Sequence, residues 1–374
     1  MSTNPKVDPV VEAPEPTPVS PRSRMRRAIT RTTIFAALYF GILVYPVVRL
    51  LGLLMPAWTP GTPELLAIIV LPIVCRVLYE RYPTPATRTL AGVALTWLGV
   101  CFQLFWIMLI FELINAIAPL PAQAAGIAIA ACIVALSLVG FVNALLLHVK
   151  HVAIPGPTSV RGRKLVQISD VHIGSRSPRL LRRIVDRVNA LKPDYVLITG
   201  DLIDFAGISR AELAPLGTFN APAFFAIGNH ERYVDLAAID ERMRALGVTV
   251  LRDEARFHGP FQFIGIDDVD TAARIRAPLA RIGLSQQHYG VLLYHRPDGF
   301  EPAAARGIPL MLAGHTHAGQ LFPFNLLVKR IYPRMRGLHV IDNSRMYVSP
   351  GTGTWGPILR IGSRSEITLI EFTA

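Results

Sequence analysis

Cysteine is close to absent. The 374 residues hold three, Cys75, Cys101 and Cys132, and all lie inside long apolar stretches. The polar half of the chain has none, which excludes a disulfide framework and a thiol nucleophile there and leaves the redox compartment open. Lys and Arg are missing from two short connections, near Ala57 to Thr62 and Asn115 to Pro121. There is no internal repeat. A net charge of +12 would suit nucleic acid, but no aromatic-basic recognition motif accompanies it. The apolar stretches also lack a succession of charges that could pass ions.

What is present divides the chain. Residues 1–31 form a Pro-rich tail, expected to be disordered, and end in the basic flank Arg22, Arg24, Arg26, Arg27 and Arg31. Arg26-Arg27 is followed by no small-residue cleavage site, which favours the cationic edge of a membrane span over an export signal. Four apolar segments, about Thr32 to Leu54, Glu64 to Leu78, Leu90 to Leu113 and Ala122 to Leu147, fill residues 32–148. Three reach the ~20 residues a bilayer requires; the second is marginal, with a re-entrant segment as its rival. Positive residues gather on the amino flank, in the second connection (Arg76, Arg81, Arg88) and after the fourth segment (Lys150, Arg161, Arg163, Lys164). That pattern predicts both termini and the following domain in the cytoplasm. Of the polar residues in the segments, Gln103 stands out, Glu112 and Asn115 are expected at an interface, and Asn143 is expected to bond a neighbouring helix.

Residues 149–163 read as a linker broken at Pro155-Gly-Pro157, and His148 and His151 as interfacial residues rather than a metal pair. Residues 164–374 read as an α/β domain. Leu180, Leu181, Ile184, Val185, Val188 and Leu191 trace one helix face, Asp240 to Leu246 a second helix, and Gly247 to Leu251 a return to strand. The chemistry concentrates after five short apolar runs. Tyr195-Val-Leu-Ile198 leads to Gly200-Asp201-Leu-Ile-Asp204, and Leu165-Val-Gln-Ile168 to Asp170-Val-His172. Phe224-Phe-Ala-Ile227 leads to Gly228-Asn229-His230-Glu231, Val291-Leu-Leu-Tyr294 to His295, and Pro309 to Ala313 to Gly314-His315-Thr316-His317. Five buried strands each deliver an O or N donor to the sheet edge where open α/β folds keep their sites. Carboxylate, carboxamide and imidazole without thiolate suit Mn, Fe, Zn or Mg. Gly200, Gly228 and Gly314 fit sharp turns that aim the next side chain.

In this order the motifs resemble the calcineurin-like metallophosphoesterase superfamily, over roughly Lys164 to Phe372, and no motif position departs from its pattern. The stretch Met346 to Gly356 and the run Glu366 to Ile370 are similar to the membrane-associated bacterial branch. The resemblance implies a four-layer αββα sandwich of two mixed sheets, here preceded by an α-helical transmembrane region. It also implies two divalent metal ions. Asp170, His172 and His317 would hold one, Asn229, His295 and His315 the other, and Asp201 would bridge them. His230 would protonate the leaving alkoxide or stabilise the transition state, and Asp204 would orient His230 or a ligand. A bridging carboxylate can hold two cations ~3.5–4 Å apart, and a water between them gives up a proton far more readily than bulk water.

The reading is a membrane-anchored hydrolase of a phosphodiester or pyrophosphate bond, with a lipid-linked substrate in view, multi-pass in a cell inner membrane. Its partners would be the bilayer and the phosphoester; neither nucleic acid nor an obligate protein partner is expected. A phosphomonoesterase, a nucleotide phosphodiesterase and a non-catalytic membrane metal sensor or scaffold are the alternatives. Glu231 reads as a helix-initiating charge, and Asp267, Asp268 and Asp270 as a turn rather than a third metal site. Leu321 to Arg336 mixes large apolar residues with Lys329, Arg330, Arg334 and Arg336, which suits an anionic lipid surface or a core-packing loop equally.

Overall fold

Short runs of β-branched and aromatic residues build two six-stranded sheets. The strands are β1 (His148–Pro155), β2 (Lys164–Ile168), β3 (Tyr195–Thr199), β4 (Ala223–Ala226), β5 (Val248–Leu251) and β6 (Glu254–His258), then β7 (Phe261–Gly265), β8 (Tyr289–Leu293), β9 (Leu310–Ala313), β10 (Gly337–Ile341), β11 (Ser344–Val348) and β12 (Glu366–Thr373). The first sheet runs β1-β12-β2-β3-β4-β5 and the second β10-β11-β9-β8-β7-β6. The computed structural model describes residues 37–205, 207–269 and 275–374, with Thr30 and Thr33. The Pro-rich tail, the basic flank and Asp270 lie outside the described residues.

Three apolar layers hold the sheets in a four-layer αββα sandwich. Between the sheets, Leu165, Leu197, Phe224, Phe263, Leu293 and Leu312 interdigitate. The outer face of the first sheet packs on the helix Pro178–Ala190 through Leu181, Ile184, Val185 and Val188, the stripe read from the sequence. Ile264, Leu292 and Met311 pack outward from the second sheet, beneath Leu279 and Phe300 of two short helices. Gln167 joins the sheets beside the site: its Nε2 donates to Thr199 Oγ1 and to the Ala313 carbonyl, both at 2.9 Å.

Residues 148–155 are not a linker, which corrects the sequence reading. They pair parallel with β12 over the full register from His148–Glu366 to Pro155–Thr373, with Val152 and Ile154 turned inward. Pro155-Gly-Pro157 does end regular structure, but one strand later than expected. His148 and His151 sit on this edge strand and belong to no metal-competent cluster among the described residues.

Ahead of the sandwich stand α1 (Ala37–Leu54), α2 (Thr62–Arg81), α3 (Pro85–Ile117) and α4 (Ala122–Leu145), each long and apolar enough to cross a membrane. The second segment is a helix of 20 residues, so its length is not marginal. Leu43, Val47, Leu104, Met108, Ile129 and Ile133 form the interior of this bundle, while Leu71, Ile110, Leu113 and Leu138 face outward, the arrangement of helices solvated by lipid. Arg49 Nε donates to Glu112 Oε1 at 2.6 Å near the far end of the bundle.

The helices are built into the catalytic half rather than tethered to it. Arg88 pairs with Glu212 at 2.5 Å, and Thr96 Oγ1 accepts from Ile358 N at 3.1 Å. Gln103 Nε2 donates to the Phe322 carbonyl at 2.7 Å, and the Tyr79 hydroxyl donates to the Gly174 carbonyl. Asn143 does not bond a neighbouring helix as expected: its Nδ2 donates to the Arg360 carbonyl at 3.2 Å, while Arg360 N donates to Gly140 O at 2.9 Å. A polar group inside an apolar helix needs a partner, and here the sandwich supplies it.

Candidate metal centre

The carboxyl ends of β2, β3 and β4 in one sheet and of β8 and β9 in the other converge on a single cleft. Among the described residues, three overlapping clusters bring donor atoms within 4.8 Å of one another: Asp170, His172 and His317; His172, Asp201 and His230; and Asp201, His295 and His315. Asn229 joins them on the wall of a cavity of about 470 Å³ that also exposes Asp201, His230, His315 and His317. All seven predicted ligand residues, with His230 and Asp204, therefore meet in one place.

The backbone bends hard to bring them there. Asp170, His172, Asp201, His315 and His317 have φ of 54°, 58°, 51°, 70° and 49°. Non-glycine residues seldom occupy this left-handed region, and such strain gathers at functional sites. The three glycines serve two different ends. Gly200 supplies a φ of 84° immediately before Asp201. Gly228 and Gly314 make room: a Cβ at Gly228 would lie 2.6 Å from Asp201 N, and one at Gly314 would meet the side chains of Ser169 and Asp170.

Hydrogen bonds fix which imidazole nitrogen faces the cleft. Asp204 Oδ1 lies 2.5 Å from His172 Nδ1 and 2.8 Å from His230 Nδ1, so it orients a ligand and the candidate acid together. The Thr199 carbonyl sits 2.7 Å from His295 Nδ1, which directs Nε2 inward. Asp170 accepts from His315 N at 3.1 Å, and Asp201 accepts from His230 N at 2.9 Å. His315 Nε2 lies 3.0 Å from the Tyr332 hydroxyl.

The donor set fits divalent cations. Asn229 Oδ1 and His295 Nε2 are buried without a hydrogen-bond partner. The Nε2 atoms of His172 and His317 face each other at 3.0 Å, and His295 Nε2 stands 3.1 Å from Asp201 Oδ2. Burial lowers His172, but Asp204 and Asp201 outweigh it and hold the imidazole up to about 9. His295 likewise rises to about 10, since Asp201 overcomes the cost of burial. Burial, reinforced by His295 and Arg296, pushes His315 down to about 3, and burial next to His172 pushes His317 well down. Converging carboxylates drive two rings to hold protons, while burial beside cationic neighbours leaves two neutral; a cation answers both conditions, replacing the protons and engaging the free lone pairs.

A sequence profile of the calcineurin-like phosphoesterases matches residues 163–319. An uncharacterized metallophosphoesterase of Aquifex aeolicus is 32% identical over 222 residues, 55% of this chain and 84% of its own length. The chain belongs to the calcineurin-like metallophosphoesterase family. "Phosphodiesterase YaeI" of Escherichia coli is 30% identical over 232 residues, covering 56% of this chain and 81% of that protein. A "Transmembrane protein with metallophosphoesterase domain" of Danio rerio is 38% identical over 237 residues, 57% of this chain, and the match spans 54% of that relative's length.

Within this metallophosphoesterase, three residues at the site escaped sequence reasoning. Glu231 begins a short 3-10 turn, but its buried carboxylate accepts from the N–H groups of Asp201 (3.0 Å), Leu202 (2.6 Å), Ile203 (2.9 Å) and Gly228 (2.8 Å). It clamps the β3 and β4 loops together. Fully buried Arg360 donates to the carbonyls of Gly351, Gly353 and His317 and so fixes the His317 turn. Tyr332 reaches His315 from the segment after β9. Glu231 had a signal, its place directly after Gly-Asn-His; Arg360 and Tyr332 had none. Among the described residues, the acids after β7 form no third metal cluster: Asp267 pairs with Arg252 at 2.7 Å and buried Asp268 with Arg296 at 2.8 Å.

Proposed function

We propose that the protein is a dinuclear-metal phosphodiesterase whose substrate carries an apolar tail drawn from the membrane. One observation carries this reading: the cavity at the metal-competent cleft joins the donor set to a group of large apolar side chains. Beside Asp201, Asn229, His230, His315 and His317 it is lined by Phe102 of α3, Leu321, Phe324, Val328, Trp355 and Pro357. Such a cavity of about 470 Å³ suits a molecule with a phosphoryl group at one end and hydrocarbon at the other. Phe102 comes from a helix of the membrane region, so the cavity borders that region.

Asp170, His172 and His317 would hold one cation, Asn229, His295 and His315 the second, and Asp201 both. Two bound cations supply Lewis acidity, activating water and offsetting charge on the phosphoryl oxygens. Asp204 accepts the Nδ1 proton of His230, leaving Nε2 toward the cleft, 3.9 Å from Asp201 Oδ2. His230 is then placed to give a proton to the departing alkoxide. The apolar wall excludes water and fixes the scissile bond against the donors. Mn is the ion we expect to support turnover. The residue divisions 1–31, 32–148 and 164–374 serve as tail, membrane region and catalytic domain, with β1 assigned to the last. Arg88, from the positively charged second connection, pairs with Glu212 of the catalytic half, which supports a catalytic domain on the cytoplasmic side of an inner membrane.

The test is hydrolysis of a chromogenic phosphodiester by the purified full chain, stripped of metal and reloaded with Mn, beside Asp201→Asn. Metal-dependent turnover, lowered about 100-fold or more in the variant, is expected. The same preparation should hydrolyse a phosphoester with an alkyl tail at lower KM than its tail-less analogue. Metal binding without turnover on diesters, monoesters or lipids would replace this reading with a metal sensor.

A further inference from the structure

A second cavity lies away from the metal cleft, where α3 and α4 meet the start of the helix Pro178–Ala190. It encloses about 580 Å³, and its lining contains no carboxylate. At its catalytic-domain end are Ser175, Arg176 and Ser177; at its membrane end are Val93, Trp97, Val100 and Phe141.

Arg176 is the anomaly. Its side chain is 5% exposed, its Nε has no hydrogen-bond partner, and it forms no ion pair among the described residues. Burial, with Arg183 nearby, lowers it to about 10, so it stays cationic at neutral pH. A buried guanidinium without a counter-charge is costly and is rarely kept without one. The adjacent helix of 13 residues adds to the demand for an anion. Its N-cap Ser177 makes no side-chain capping bond; Pro178 has no N–H and Leu180 N donates to the Ser177 carbonyl at 2.9 Å, so what the first turn offers an anion is the Arg179 N–H and the positive end of the helix dipole.

The cavity continues into an apolar groove of about 400 Å³ between α3 and α4. Trp97, Val100 and Phe141 line both, and Val134 and Leu138 carry the groove along the outward face of α4, over the buried Ile133. A cationic cup at the end of a hydrocarbon groove on a membrane helix pair matches one kind of molecule. We propose that this is a binding site for an anionic phospholipid, with the headgroup phosphate on Arg176 and the start of the Pro178–Ala190 helix, and an acyl chain in the groove. Phosphate is the chemistry that Arg176 recognises; the groove assigns it to a lipid rather than to a free ion.

The site is placed to report on the bilayer. Arg176 N donates to the His172 carbonyl at 2.7 Å, and Gly174 N donates to the Arg176 carbonyl at 3.1 Å. A headgroup seated on Arg176 braces the turn that carries His172.

The experiment titrates fluorescent phosphatidylglycerol and fluorescent phosphatidylcholine against the detergent-purified full chain, with Arg176→Gln and Gly92→Leu. Gly92 lines the cavity, and a Cβ there meets nothing nearer than Ile358 Cδ1 at 3.8 Å, so Leu fills the mouth and leaves Arg176 in place. One phosphatidylglycerol per chain is expected, preferred about tenfold or more over phosphatidylcholine, with both variants losing that preference. Should Arg176→Gln fail to fold, Gly92→Leu carries the test alone. Undiminished preference in a folded variant overturns the site. Displacement of the lipid by inorganic phosphate at matching concentration assigns Arg176 to a soluble anion and overturns the lipid.

Discussion

Two carboxylates at the site do different work without taking a metal. Asp204 Oδ1 serves His172 and His230 together, and an Asn side chain there has a single carbonyl oxygen and no charge to hold both rings. Asp204→Asn should lower Mn affinity by about 10–100-fold, read by metal titration, and should lower kcat in saturating Mn as well. A loss confined to affinity would show that His230 does not need the contact. Glu231→Gln replaces an acceptor of four N–H groups with one that brings its own unpartnered donors; a loss of about 1–3 kcal/mol is expected, seen as a lower melting temperature in detergent. The ligands themselves were readable because each follows an apolar strand by one to four residues, and the strand-end geometry of α/β sheets does the rest. Glu231 was not, because the N–H groups it binds at positions 201–203 lie 28–30 residues back in the chain. Arg360 depends on loops that meet only after both sheets close.

Two elements show what local pattern could and could not supply. Residues 148–155 alternate weakly, and their proline pair resembles a break; what makes them a strand is β12, which lies at the far end of the chain. The stretch after the Gly-His-x-His turn was left undecided between a lipid surface and a core loop. Its centre is a helix, Phe324–Ile331, in which Val328 is buried while Phe324, Leu326, Leu327 and Ile331 are exposed. A loop packed into the core would show the reverse. Leu326, Leu327 and Ile331, exposed and outside the cavity lining, changed together to Ser should spare turnover of a soluble diester and lower activity on lipid in bilayers by about tenfold or more. Equal losses on both substrates would remove the membrane role of this helix.

The contact between membrane region and sandwich depends on pH. Burial works against ionisation of Glu212, but the Ser209 N–H and Arg88 outweigh it and hold the carboxyl below its ordinary value of 4.5. A depressed carboxyl contributes stability that is fully present above that value and is lost as pH falls through the lowered one. Below about pH 5 the full chain should therefore lose this contribution, and Glu212→Gln should flatten part of that acid limb of the melting profile, by about 1 kcal/mol. An identical limb in the variant would place the titrating group elsewhere. None of this seam was legible in advance: Gln103 and Asn143 stood out as polar residues in apolar segments and Arg88 as a cation of the second connection, but their partners are 124 to 219 residues away.

At 33 residues, α3 extends about 50 Å, against about 30 Å of hydrocarbon, and it is bonded to the sandwich at Arg88, Thr96 and Gln103. It acts as a mast. A domain on a leash sweeps a volume and meets whatever diffuses in; one held on a mast works at a constant height and attitude. To a solute that constancy offers nothing. To a molecule confined to a leaflet, the substrate proposed above, it would turn the search into sliding within a plane, and the elevation of the cleft would select which bond of that molecule arrives at the donor set.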